Sequence, residues 1–183
     1  MSIALKMAEA YVPAFIKKRE LKKLLDVAAR AFRTVPPSIE RLSFGDSLRL
    51  FAEFTERETS SAIDRGEDLM MIKKQLFEGA YEMGERFRRA FRLTDGSEAL
   101  KAGQLIYGIL GINFLSTPRG EVTINKCFFS ERYSTRTCHV ISSLDEGLMA
   151  GLSRGGTFTF FQRMTEGFEL CKANLIPKGT SNA

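Results

Sequence analysis

The sequence predicts an α+β protein in which N-terminal helices pack on a C-terminal four-stranded antiparallel sheet with one inserted helix. Through the first 111 residues, apolar side chains recur every three or four positions, which is the period of an amphipathic helix. From residue 112 onward, short extended runs are separated by turns that contain Gly or Pro. One further helical segment lies between the second and third of these runs. Helices and strands are therefore largely segregated along the chain, as in α+β folds.

The positive charge of the chain is concentrated at its N-terminal end. The first 33 residues hold eight Lys and Arg against three Asp and Glu, and the other 150 residues hold 19 of each sign. We therefore expect a basic helical arm over residues 1–33 and a single α+β domain over 34–183. The domain divides into a helical part, 34–111, and a strand-rich part, 112–176. Because the body has no basic surplus, we expect no nucleic-acid partner.

The arm is predicted to be helical with a break near Pro13. Its apolar residues can share one broad face, and most of its Lys and Arg lie elsewhere; the apolar set is Phe15, Ile16, Leu24, Leu25, Ala28 and Phe32. Such a pattern favours a packing helix with a solvated basic side. The weaker alternative is a helix that contacts an anionic membrane surface or a partner.

Three further helices follow the arm. Ser43 and Asp46 resemble a capping box that begins the next helix. After a break around Gly66, the pattern from Leu69 to Phe91 is the clearest helical signal in the chain, and Thr94 to Ser97 then provides a turn with an N-cap before a short helix that ends at Gly111. The long helix, taken as 62–92, has a face wide enough to serve the core or a second copy, so we expect a homodimer.

The strands are predicted at 112–116, 121–130, 157–164 and 168–176. In the second strand, the apolar alternation slips by one residue after Asn125, which indicates a bulge. The inserted helix is predicted from Cys138 to Leu152 with Thr137 as its N-cap. Glu166 and Gly167 are expected to form the tight turn between the last two strands.

The cysteine count and the N-terminus bear on the compartment. Three cysteines are an odd set, which disfavours a disulfide-stapled secreted domain. The N-terminus lacks the pattern of a signal peptide, and no apolar run is long enough to span a membrane. We expect a cytoplasmic protein.

The sequence disfavours several classes of function. The three cysteines and the single histidine match a zinc set in number, but there is no C-x-x-C pair, so no metal is expected. Kinases and dehydrogenases are disfavoured because Gly-rich phosphate loops and nucleotide fingerprints are missing. We expect no cofactor.

The chemistry-bearing residues cluster in the inserted helix. A helix start favours a thiolate, so Cys138 is a candidate nucleophile. His139 is a candidate base, but neighbouring side chains on a helix point in different directions, so Cys127 or Cys171 is as plausible a partner for it as Cys138. Asp145 follows Cys138 by two helical turns and lies on the same face. The alternatives are a buried, inert thiol and a solvated acid.

Several short motifs in this region resemble a known family. E-R-Y-x-T-x-x-C lies at residues 131–138, S-L-D-E-G-L at 143–148 and T-E-G-x-x-x-C at 165–171. Their order resembles the L-2-amino-thiazoline-4-carboxylic acid hydrolase-like family. That family is similar in layout to the 4-vinyl reductase domain and the TRAPP-type ligand-binding fold. The resemblance covers about residues 97–176.

The resemblance implies roles for Cys138, Asp145 and Cys171. The implied reaction is hydrolytic opening of a small cyclic amidine, with the Cys138 thiolate attacking the ring carbon and Asp145 holding the substrate's amino group. In the 4-vinyl reductase layout, Tyr107 and Gly108 precede the first strand in the same way.

Three hypotheses of function stay open. The first is a hydrolase of a cyclic C–N bond that uses a cysteine nucleophile. The second is a non-catalytic module that binds an apolar small molecule within the Phe-rich sheet, and the third is an adaptor that docks through its basic arm. The expected ligand-binding residues are Cys171, Glu166, Phe158, Phe160 and Tyr107.

Overall fold

The computed structural model describes residues 3–178 and confirms the α+β class. Within that range the helices are α1 (Ile3–Ala10), α2 (Ala14–Ala31), α3 (Phe44–Asp64), α4 (Leu69–Phe91), α5 (Gly96–Ile109) and α6 (Thr135–Leu152). The strands are β1 (Ile112–Ser116), β2 (Glu121–Cys127), β3 (Thr157–Gln162) and β4 (Cys171–Ile176), and a 3₁₀ turn spans Met164–Glu166. The inserted helix α6 connects β2 to β3, as predicted.

Three side-chain caps set the starts of the central helices. The Ser43 hydroxyl accepts the backbone N–H of Asp46 at 3.1 Å at the start of α3. Asp68 accepts the N–H of Met70 at 2.9 Å before α4, and Asp95 does the same for Glu98 at 2.9 Å before α5. Each cap satisfies an N–H that has no partner inside its helix. The predicted caps of α3 and α5 are thereby confirmed.

The basic segment packs onto the body through α2, which contacts α3 and α4. Its buried residues are Leu21, Leu25, Val27, Ala28, Ala29 and Ala31. The Glu20 carboxylate accepts a hydrogen bond from the Arg86 guanidinium of α4 at 2.8 Å, which ties the two helices together. The placement of Phe15 on the shared apolar face was wrong, because its side chain is 70% exposed. Membrane contact by this segment stays a prediction.

The four strands form one antiparallel sheet in the order β1-β2-β4-β3. Alternate residues of β4 are buried and exposed along its whole length, so one face of the sheet meets the core. In the β1–β2 pair, Asn113 opposes Lys126 and Phe114 opposes Ile124, which leaves Asn125 as the extra residue. The predicted bulge is confirmed at this position.

Three predicted strand ends were wrong. β2 ends at Cys127 because the chain turns there, with the N–H of Ser130 donating to the Cys127 carbonyl at 3.3 Å. β3 ends at Gln162 because the N–H of Arg163 donates to the Glu166 carboxylate at 3.0 Å instead of to a strand. The predicted tight turn is accordingly a longer connection that contains the 3₁₀ turn, and β4 begins only at Cys171.

The backbones of α4 and α6 meet closely at three glycines. A Cβ on Gly147 would lie 2.2 Å from the Phe77 carbonyl oxygen, and one on Gly151 would lie 2.3 Å from that of Tyr81. Gly84 in α4 approaches the Leu148 carbonyl just as closely. From the contact of Gly147 with Phe77 to that of Gly151 with Tyr81, the chain advances by four residues in both helices, so α4 and α6 run in the same direction.

The apolar face of α4 packs against other elements of the same chain. Ile72, Leu76, Ala80 and Met83 are all buried there, so this face is not free for a second copy. A homodimer would need another surface, and it stays a prediction.

Among the helices of residues 3–178, none combines the length and the apolar character needed to cross a membrane.

Candidate functional site

A cavity of about 310 Å³ lies between the helices and the buried face of the sheet. All six helices and all four strands contribute to its wall, together with the connections around Pro13, Tyr133 and Arg163. Most of the lining is aliphatic or aromatic, including Leu105 and Ile106 of α5. A volume of this size is at the small end of the range of about 300–1,000 Å³ that is typical of ligand pockets.

The N-terminal segment forms part of this wall. Tyr11, Val12 and Pro13 in the α1–α2 connection line the cavity, as do Ile16 and Leu24 of α2. The segment that the sequence marks as a basic arm therefore also helps to enclose the cavity.

Asp145 and Tyr107 form a hydrogen-bonded pair in the cavity wall. The Tyr107 hydroxyl donates to Asp145 Oδ1 at 2.8 Å, and the Tyr107 ring stacks on Phe114 with centroids 4.9 Å apart. Burial raises the pKa of Asp145 to about 7 from its ordinary value of 3.8. The Tyr107 hydrogen bond and the Arg163 charge act in the opposite direction, and the Glu146 charge adds to the increase. Asp145 is therefore a partly buried acid whose pKa is shifted towards neutral pH.

Arg163 is the buried cation of the site. Its side chain lies just after β3, and the residue is only 8% exposed. Its Nε lies 3.4 Å from Ser142 Oγ, and its guanidinium carbon lies 5.0 Å from the centre of the Phe160 ring. Ser142 and Phe160 both line the cavity, so the guanidinium is placed at its wall.

Three free thiols line the same cavity: Cys127, Cys138 and Cys171. Burial raises the pKa of Cys127 to about 12 and also raises the pKa of Cys138 and of Cys171. The Cys171 sulfur accepts the backbone N–H of Met164 at 3.3 Å. All three thiols are therefore protonated at neutral pH.

The prediction that a helix start would favour a Cys138 thiolate was wrong. The N-cap of α6 is Ser134, not Thr137, and Ser134 Oγ accepts the N–H of Thr137 at 3.2 Å. Cys138 is consequently the fourth residue of the helix, and its own N–H already donates to the Ser134 carbonyl at 2.9 Å. Removal of the thiol from water is the largest influence on the pKa of Cys138, and it raises that pKa.

His139 and Glu166 pair with each other outside the cavity wall. His139 Nε2 lies 2.7 Å from Glu166 Oε1, and the two side chains are 45% and 25% exposed. Glu166 Oε2 accepts the backbone N–H of Arg163 at 3.0 Å. These two predicted site residues therefore hold the segment that carries Arg163, and neither lines the cavity.

The structure brings together most of the other residues that the sequence singled out. Tyr107, Cys138, Asp145, Phe160 and Cys171 all line the cavity. Phe158 does not. Its ring is buried beside those of Phe114 and Phe160, with centroid separations of 6.3 Å and 5.1 Å.

Sequence reasoning missed Arg163 and Ser142. Arg163 could have been noticed from its position, because it is the charged residue that ends the aromatic run F-T-F-F-Q-R. Ser142 carried no such signal, because serine is common on helix surfaces.

Within the part of the chain that the structure describes, no group of three or more His, Cys, Asp and Glu side chains is arranged to hold a metal ion.

Fold and site together define an α+β protein with a mostly apolar cavity between its helices and its sheet, whose wall includes the partly buried Asp145 and the buried Arg163 guanidinium. No protein-family model matches the chain, and no curated protein shows significant sequence similarity to it.

Proposed function

We propose that this protein binds a small, largely apolar molecule in the cavity between its helices and its sheet. The observation that carries the proposal is the cavity itself, about 310 Å³ in volume and lined mainly by aliphatic and aromatic side chains. A concave apolar space of this size with a few convergent polar groups is the usual form of a small-molecule site. Transfer of an apolar ligand into it is favourable at roughly 25 cal/mol per Å² of apolar surface removed from water.

The state of the thiols supports binding without covalent chemistry. With burial raising the pKa of Cys138, only a small fraction of this thiol is ionised at neutral pH. The side chain then acts as a small apolar group in the wall, like Cys127 and Cys171.

The experiment uses the neutral fluorescent dye N-phenyl-1-naphthylamine, whose emission rises on entering an apolar site. The test variant is Ala80→Leu, because Ala80 is buried in α4 and lines the cavity. The matched control is Ala90→Leu on the same helix, where the side chain is exposed. We expect the parent and Ala90→Leu to bind the dye alike, and Ala80→Leu to bind it at least about tenfold more weakly, which corresponds to about 1.4 kcal/mol.

Equal dye binding by the two variants would show that the dye sits elsewhere. A folded parent protein that binds neither the dye nor small apolar alcohols would contradict the proposal directly. Circular dichroism of each variant establishes that weakened binding does not come from unfolding.

A hydrolase that opens a cyclic C–N bond is the second candidate. The observation that favours it is that Cys138 and Asp145, two turns apart on α6, both line one cavity. Incubation with 2-amino-thiazoline-4-carboxylate, followed by chromatography for the ring-opened product, tests it. Turnover that is lost in Cys138→Ser and retained in Cys127→Ser would establish this function in place of binding alone.

A further inference from the structure

The Arg163 guanidinium is a buried charge that its neighbours only partly satisfy. Among the described residues, its one side-chain hydrogen bond is the long 3.4 Å contact from Nε to Ser142 Oγ. Its closest carboxylate contact joins Nη1 to Glu166 Oε1 at 3.9 Å, which is beyond hydrogen-bond distance. A guanidinium carries five N–H donors and stays protonated at any physiological pH. Most of its donor capacity is therefore unused by the described side chains.

Glu166 is committed to other partners. One of its oxygens lies 2.7 Å from His139 Nε2, and the other accepts the Arg163 backbone N–H at 3.0 Å. The carboxylate that is nearest to the guanidinium thus fixes the chain around Arg163, while its ion pair with the Arg163 side chain, at 3.9 Å, is too long to be a hydrogen bond. Burying a charge without a close partner is costly, so an arrangement of this kind is expected where a ligand supplies the partner.

We propose that the ligand is an amphipathic monocarboxylic acid whose carboxylate is bound by the Arg163 guanidinium. Its apolar body lies among the side chains that α2, α4 and α5 contribute to the cavity. This inference rests on the proposed function and names the ligand class for the same cavity. A planar guanidinium matches a carboxylate through two parallel N–H···O bonds, which give direction as well as strength.

The surrounding charges favour a single negative charge on the ligand. Asp145, Glu146 and Glu166 all lie in the neighbourhood of Arg163, so a dianion would be repelled. Because the pKa of Asp145 is raised to about 7, its protonated form is well populated at neutral pH, and a carboxylate bound nearby would favour that form further. In its neutral form, Asp145 keeps one oxygen on the Tyr107 hydroxyl and can donate its own proton to a bound carboxylate.

The test compares three probes that share one alkyl chain: decanoate, decanol and decylamine. Each competes with N-phenyl-1-naphthylamine on the full-length parent, on Arg163→Met and on Arg136→Met. Methionine keeps an unbranched side chain and removes the charge, and Arg136 is an exposed residue of α6 that serves as the matched control. We expect the parent to prefer decanoate over decanol, and Arg136→Met to behave like the parent.

In Arg163→Met, we expect the affinity for decanoate to fall by about tenfold to about a hundredfold, which is the range for charged hydrogen bonds. The affinities for decanol and for the dye should change less than about threefold. This pattern separates the two proposals. If decanol and the dye bind the parent but decanoate gains nothing from Arg163, the carboxylate inference is overturned and apolar binding stands. If no probe binds, both fail.

Preferential binding of decylamine would also overturn the inference, because it would assign recognition to Asp145. Should Arg163→Met fail to fold, Arg163→Lys provides the second measurement. It keeps the positive charge but loses the two-pronged geometry. We then expect a smaller loss of decanoate affinity with the dye affinity unchanged, and an unchanged decanoate affinity would contradict the bidentate contact.

Discussion

Replacing Asp145 with Asn should make the protein more stable at alkaline pH, which is unusual for a mutation inside a core. Asp145 lies in the cavity wall with Tyr107 donating to its Oδ1, and an Asn side chain offers an oxygen to the same donor. The substitution therefore keeps the hydrogen bond and the side-chain size. What it removes is a carboxylate that must carry its charge inside the protein once it ionises.

The size of the effect follows from the two states of the carboxyl group. In the unfolded chain, Asp ionises near pH 3.9, whereas in the folded protein burial raises the pKa of Asp145 to about 7. The folded state therefore binds more protons between these values, and the stability of the parent falls as pH rises from about 4 to about 7. At about 1.4 kcal/mol per pKa unit, the full loss above pH 7 is at most about 4 kcal/mol. The Asp145→Asn variant does not lose this stability, because its side chain does not ionise.

Urea unfolding followed by circular dichroism measures the free energy of unfolding at about pH 5 and about pH 8. Circular dichroism is the suitable signal because the chain contains no Trp. We expect Asp145→Asn to be more stable than the parent by about 1–4 kcal/mol at the higher pH, and by less at the lower pH.

Asp64→Asn, the same change at an exposed site at the end of α3, is the control. It should shift the stability by less than about 1 kcal/mol at either pH. An Asn variant at position 145 whose advantage does not grow with pH would refute the assignment of a buried, reluctantly ionised acid.

Two further predictions concern helix packing and thiol reactivity. Gly147→Ala should destabilise the protein by about 1–3 kcal/mol in urea unfolding, because its Cβ would lie 2.2 Å from the Phe77 carbonyl oxygen. Gly108→Ala, with no atom within 4 Å of its Cβ, should stabilise it by up to about 1 kcal/mol, and the opposite order would contradict the close approach of α4 and α6. In the native protein at neutral pH, iodoacetamide should alkylate Cys138 at least about tenfold more slowly than in the urea-unfolded chain, as read by peptide mass spectrometry. Rapid native labelling of Cys138 alone would instead favour the hydrolase.

Local sequence signals were enough to predict the helices and the fold class. The apolar period from Leu69 to Phe91 reproduces α4, and Ser43 caps α3 through a contact that spans only three residues. The bulge at Asn125 could also be predicted, because a slip in the alternation of apolar and polar residues is visible within a single strand. These features depend on neighbours in the chain, which a sequence displays directly.

The errors arose where a contact competes with the local pattern. The run after Gln162 looks extended, but the Glu166 carboxylate takes the N–H of Arg163 and ends the strand. Ser134 and Thr137 are both good N-caps, and the structure uses the earlier one. A sequence does not show which of two suitable capping or hydrogen-bonding partners is used, because the packing around them decides their relative stability.

The cavity could not be predicted from local sequence patterns, for a related reason. Its wall draws on all six helices and all four strands, so its volume is decided by how imperfectly these elements fill the space between them. The same residues, Leu105 or Met83 for example, would have the same sequence pattern in a fully packed core. Sequence could identify Cys138 and Asp145 as members of one helix face, but only the assembled fold places Arg163 and Tyr107 with them.

The strongest argument for a binding function is that the site costs the protein stability. Arg163 is buried and Asp145 is partly buried in one cavity wall, where Asp145 accepts a hydrogen bond from Tyr107 and Arg163 makes only a long contact with Ser142. Apolar residues of similar volume would make a more stable core, since burying charges without close pairing is unfavourable. Natural proteins carry such locally unfavourable choices mainly where function requires them. A core shaped by stability alone would lack an open volume beside a guanidinium with no close carboxylate and an acid with a raised pKa, and a ligand with an apolar body and one acidic group would account for both features.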